Sequence, residues 1–115
     1  ALAPYGAASK QYLEQNGHWE TLAGKIVRGE NIGQTFAMVA TGNVDLGFVA
    51  LGQLIERGPD GRNRWCLPDD AYDPIEQQAI LLARGADNPA ATAFLLYLRT
   101  PTARAMIRAA GYRID

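Results

Sequence analysis

The chain has 115 residues, of which 48% are hydrophobic and 20% charged, and its formal net charge is -1. That balance describes one modest globular domain, or parts of two. It excludes the basic face of a nucleic-acid binder, because both signs of charge are spread along the sequence, and no apolar run is long enough to cross a bilayer as a helix.

The chain opens in a helix-forming segment, with neither an initiator methionine nor a signal peptide, so a processed N-terminus or a fragment is expected. A first helix is predicted from Pro4 to Asn16, with Gly17 as its stop. Nothing in "ALAPYGAASKQYL" offers Ser, Thr, Asp or Asn ahead of Pro4. The first N–H groups of a helix have no partner inside it, so here they need water or an external acceptor such as a bound anion. A short helical piece at Trp19–Leu22 and a brief strand in "KIVRG" follow.

"ENIGQTFAMVATGN" predicts a helix with Ile32, Phe36, Val39 and Ala40 on one face, ended by Gly42-Asn43. Asn31 can cap it, and Gln34 occupies the capping-box position. One Asn satisfies only one or two donors, so the N–H groups of Ile32 and Gly33 are left to point outwards. Gly33 lets a ligand approach the backbone closely.

"VDLGFVAL" reads as a strand buried on both faces of a parallel sheet. "GQLIERG" reads as a short helix or turn, "GPDGRN" as a surface loop and "RWCLP" as another strand. "PIEQQAILLAR" reads as an extended segment passing from a polar to an apolar environment. The helices at Pro89–Leu98 and Pro101–Ala109 each carry Pro at their first position, behind Asp87 or Asn88 and behind Thr100. The alternation of elements predicts an α/β fold with parallel strands, whose ligands bind where helix N-termini gather beyond the strand ends.

Catalytic and metal chemistry find little support. Cys66 and His18 are each single, so no internal disulfide or thiolate cluster can form, and Cys66 reads as a buried small hydrophobe. Asp69, Asp70 and Asp73 lie in "LPDDAYDP", where turn chemistry accounts for them. No "GxSxG" elbow, "GxGxxG" turn or His pair is present, which argues against an α/β esterase or reductase. No catalytic residue, metal site or cofactor is expected.

The segments "LAPYGAASKQYLEQNGHWETL", "GENIGQTFAMVATGNVDLGFVAL", "DAYDPIEQQAILL" and "NPAATAFLLYLRTPTARAMIRAAGY", in this order and spacing, resemble the periplasmic molybdate-binding (ModA) family of bacterial ABC transporters. The resemblance runs over nearly the whole chain. It implies an α/β, type II periplasmic-binding-protein fold of two lobes hinged about a cleft. It also implies an incomplete chain, lacking roughly a hundred preceding residues, a length that fits a two-domain protein. Residues 1–74 would be most of lobe II, and residues 75–115 the hinge-crossing strand and the C-terminal helices of lobe I.

Carried over residue by residue, the resemblance implies that Tyr5 and Ile32 give backbone N–H groups to the oxyanion, with Gly33 and Asn31 in support. Some members add a tyrosine hydroxyl from the loop after "GFV"; this chain has Ala50 there, and the phenol of Tyr5 is a candidate replacement. The implied ligand is molybdate or tungstate, the implied partner an ABC permease, and the implied location the periplasm of a Gram-negative bacterium. Alternatives on the same scaffold are a receptor, or a regulator's effector domain, for another oxyanion such as sulfate or phosphonate; an interaction fragment is a further alternative. Lacking much of its donor set, the chain alone is expected to bind weakly. With apolar faces uncovered, it is expected to self-associate or swap elements with a second copy.

Overall fold

The computed structural model describes residues 3–56 and 64–114. Contacts divide the chain into two compact units, Ala1–Ile75 and Glu76–Asp115. In the first unit lie helices α1 (Pro4–Gln15), α2 (Trp19–Leu22), α3 (Ile32–Ala40) and α4 (Leu51–Glu56), with a tight helical turn at Ala23–Lys25. In the second, a similar turn at Ala83–Gly85 leads into α5 (Pro89–Leu98) and α6 (Pro101–Ala109). No described helix is long and apolar enough to cross a membrane. The predicted loop "GPDGRN" lies outside the described residues.

The helix boundaries follow from local chemistry. Asn31 Oδ1 accepts from Gln34 N at 2.9 Å at the start of α3, and Asn88 Oδ1 accepts from Ala90 N at 3.0 Å at the start of α5. Thr100 Oγ1 accepts from Ala103 N at 3.3 Å to start α6, and donates to Tyr97 O at 2.7 Å, so one hydroxyl closes two helices. Of the two candidate caps for α5, Asn88 takes the role. At the other ends, Gly17 (φ 70°) and Gly42 (φ 72°) adopt the left-handed conformation that stops α1 and α3. After α1, Gly17 N donates to Glu14 O at 3.1 Å and His18 N to Leu13 O at 2.8 Å. The same pair of bonds follows α3, from Gly42 N to Val39 O and Asn43 N to Met38 O.

Within the first unit, three side chains of α1 make contacts. Tyr12 packs edge-on against Phe48 with centroids 6.0 Å apart, and against Trp65 at 5.9 Å. Gln11 Oε1 accepts from Asp73 N at 2.9 Å, tying the loop before Pro74 to the helix. Lys10 pairs with Glu14 at 3.3 Å and lies 5.2 Å from the centre of the Trp19 ring. The segment before α4 lies against α3 at Gly47, where a β-carbon would overlap Val39 Cγ2.

The predicted strands differ from what is observed. Segments 26–29, 46–50, 64–68 and 74–82 run without helix, yet no strand ladder forms among the described residues. A ladder needs paired N–H···O=C bonds to a second backbone as well as a suitable segment, and no such pairing is present among the described residues. Some of their side chains are open, Leu46 being 78% exposed and Ile80 81%, while residues 47–50 are half-buried. Among the described residues only Leu13 and Ala103 are buried. Cys66, expected to be buried, is exposed within the extended segment 64–68.

Candidate functional site

The two helix entrances singled out by sequence differ in construction. At α1, Ala3 holds an extended backbone (φ -63°, ψ 157°) and supplies no side-chain cap, as its methyl group dictates. Its carbonyl accepts from Ala7 N at 2.9 Å, and Pro4 occupies the first helical position, where a missing N–H costs nothing. Tyr5 follows, half-buried, its carbonyl accepting from Ser9 Oγ at 2.7 Å.

At α3 the cap is made by Asn31, exposed, with Oδ1 on Gln34 N. The Gln34 side chain reaches back as the capping-box pattern predicts, but one residue further: its Oε1 accepts from Glu30 N at 2.5 Å. The Asn31 carbonyl accepts from both Thr35 N (3.1 Å) and Thr35 Oγ1 (3.2 Å). These bonds engage the third and fourth turn donors. The amides of half-buried Ile32 and exposed Gly33 stand ahead of them, at the positive end of the helix. Asn31 Oδ1 is the nearest atom to the open side of Gly33, 3.2 Å from where a β-carbon would be.

Tyr5, Asn31, Ile32 and Gly33 all belong to the Ala1–Ile75 unit. A relay of contacts joins the two helices that carry them: Tyr12 of α1 rests on Phe48, and two residues later Ala50 meets Gln53 of α4. Gln53 Nε2 in turn donates to Ile32 O at 3.3 Å, across 21 residues of sequence. Ala50, the small residue noted in sequence, is half-buried and its N–H is taken by Gln53 Oε1 at 3.2 Å. Gln53 was not singled out by sequence reasoning. The available signal was its place three residues after Ala50, the position from which a Gln side chain returns to a helix start.

Outside this region the chemistry is sparse. His18 is exposed ahead of α2, and no group of three or more His, Cys, Asp or Glu among the described residues could hold a metal ion. Asp69 and Asp70 lie inside a turn closed by Ala71 N on Pro68 O at 3.1 Å.

Comparison with known proteins gives this geometry a context. The family of bacterial extracellular solute-binding proteins matches residues 1–113. The molybdate-binding protein ModA of Azotobacter vinelandii is 48% identical over 114 residues, covering 98% of this chain and 45% of that protein. The ModA of Rhodobacter capsulatus is 46% identical over 110 residues, covering 96% and 43%. The solved structure of the periplasmic molybdate-binding protein of Azotobacter vinelandii superposes with a TM-score of 0.87 at 37% identity, over 99% of this chain and 51% of that one. The chain thus spans about half the length of the curated relatives it matches, and within that span it has the fold of a periplasmic binding protein. With its fold and nearly its whole length matched, the chain belongs to the family of bacterial extracellular solute-binding proteins.

Proposed function

We propose that this chain carries one half of the oxyanion site of a periplasmic receptor that delivers molybdate, or tungstate, to an ABC permease. The observation that carries the reading is the pair of helix entrances, one without a side-chain cap at Ala3 and one with Ile32 and Gly33 ahead of its capped amides, in a chain 48% identical to a molybdate-binding protein. In this reading Tyr5 and Ile32 give backbone N–H groups to the anion, with Gly33 and Asn31 in support. Residues 1–74 form most of lobe II, and residues 75–115 belong to lobe I. The protein acts by binding, without catalysis or a cofactor.

Neutral donors suffice for such a ligand. Each helix start carries roughly half a positive charge, and its amides are oriented before the anion arrives. A fully deprotonated dianion offers only acceptors and suits a donor-only site. Protonated phosphate presents its own hydroxyl to a donor and is disfavoured. Release to a permease is easier from neutral donors than from a Lys or Arg clamp, whose charge-assisted bonds are about twice as strong.

The test is a titration of the ¹⁵N-labelled chain with molybdate, tungstate, sulfate and phosphate. Saturable shifts of the Tyr5 and Ile32 amides with molybdate and tungstate, weaker with sulfate, are expected. Molybdate shifts confined to other residues, or a stronger response to sulfate, would overturn the assignment and favour the receptor for a different oxyanion.

A further inference from the structure

We infer that Gln53 is a positioning residue for the α3 entrance: by a second bond to the Ile32 carbonyl it steadies the direction of the Gly33 N–H. The inference rests on the proposed oxyanion site and adds to it a side chain that touches no ligand.

The geometry leaves little freedom in how Gln53 is read. Its Oε1 accepts from Ala50 N at 3.2 Å, while Gln53 N donates to Ala50 O at 3.1 Å. This is the reciprocal pattern that starts a helix, with the third residue returning to the residue ahead of the first. Because Ala50 N–H is a donor, the side-chain atom facing it must be the oxygen, which fixes the amide's orientation. The nitrogen then faces the Ile32 carbonyl at 3.3 Å, and a carbonyl is what an NH₂ group requires. A capping role alone uses only the oxygen. The second bond has no part in starting α4; it joins α4 to α3.

What that bond controls follows from peptide planarity. Ile32 C=O and Gly33 N–H belong to one rigid plane and point in opposite directions. The ladder of α3 already holds this plane through its own backbone bond to the Ile32 carbonyl; the bond from Gln53 is a second anchor on the same oxygen, and so a second hold on the N–H vector of the glycine that follows. A ligand accepting from Gly33 N–H would also polarise the same peptide and strengthen the bond from Gln53, so the two contacts reinforce each other. Gln53 is half-buried, which shields the bond from competition with water.

Two variants separate this role from helix capping. Gln53→Glu keeps an acceptor for Ala50 N–H and loses the donor to Ile32; Gln53→Met loses both. Amide shifts and hydrogen exchange are measured on the full chain without any anion, followed by titration with molybdate. The expected result is that both variants shift Gly33 and Ile32 and speed their exchange, while Gln53→Glu leaves the α4 amides unchanged. Gln53→Met should weaken molybdate binding about fivefold to tenfold, the size of one lost hydrogen bond. Changes confined to residues 50–56 in both variants would overturn the inference and leave Gln53 as a cap. Should the unaltered chain not respond to molybdate, the proposed site falls, while the anion-free Gly33 and Ile32 signals still decide whether Gln53 orients that peptide.

Discussion

Replacing Gly47 by alanine places a methyl group on top of Val39 Cγ2. Valine in a helix has essentially one side-chain rotamer, so Val39 cannot swing aside and the backbone must move. Overpacking of this kind costs about 1–3 kcal/mol. Shortening the neighbour relieves it: with Cγ2 removed, the nearest atoms to the new methyl are Val39 Cβ at 3.9 Å and Thr35 Cγ2 at 4.0 Å, both ordinary contacts. Val39→Ala by itself, at a half-buried site, should cost about 1 kcal/mol in lost burial. The double variant should therefore cost no more than Val39→Ala alone, a favourable coupling of about 1–3 kcal/mol. Urea denaturation followed by circular dichroism, on the parent, both single variants and the double, measures this coupling. Strict additivity, or a Gly47→Ala effect below about 0.5 kcal/mol, would refute the reasoning. The segment that moves also carries Phe48 and Ala50, so the Ile32 and Gly33 amides should shift in Gly47→Ala and return in the double variant.

Removing the caps Asn88→Ala and Thr100→Ala should lower stability by about 1 kcal/mol each. Thr100→Ala should be the larger, since its hydroxyl also serves Tyr97 O; equal denaturation midpoints would contradict that assignment. Gly17→Ala, at φ 70° with open space around it, should cost about 1 kcal/mol through backbone conformation alone. Gly24→Ala, equally open and without positive φ, should be neutral or stabilising, and thermal melts of the pair distinguish conformation from crowding. Finally, with Ile80, Phe94, Leu96 and Met106 all more than half exposed, the chain should associate with itself as concentration rises. A monomer by light scattering across the accessible concentration range would count against it.

The helices were legible because their boundaries are local. Thr100-Pro101, Asn88-Pro89 and Asn31 state where a helix begins in a few adjacent residues, and Gly17 and Gly42 state where one stops. The α/β, periplasmic-binding-protein fold was legible through the resemblance, whereas the ladders expected of it are absent among the described residues. "VDLGFVAL" and "PIEQQAILLAR" carry the apolar pattern of strands, but a pattern within one segment does not specify its pairing with another. Cys66 was expected to be buried from its residue type alone, and residue type does not say which side of a segment meets solvent; it is exposed. At the candidate site, the missing cap before Pro4 and the Asn31 cap were visible in the sequence. The bond from Gln53 to Ile32 was not, because it joins residues 21 positions apart and depends on how α4 lies beside α3.

The placement of the indole rings has a practical consequence. Both tryptophans, Trp19 beneath the Lys10 ammonium and Trp65 against the Tyr12 phenol, sit in the Ala1–Ile75 unit. Emission excited at the red edge of protein absorbance thus reports on that unit alone, while α5 and α6 stay dark. Comparing its melting curve with a signal from the whole backbone measures how cooperatively the two halves of the chain unfold, without attaching any dye.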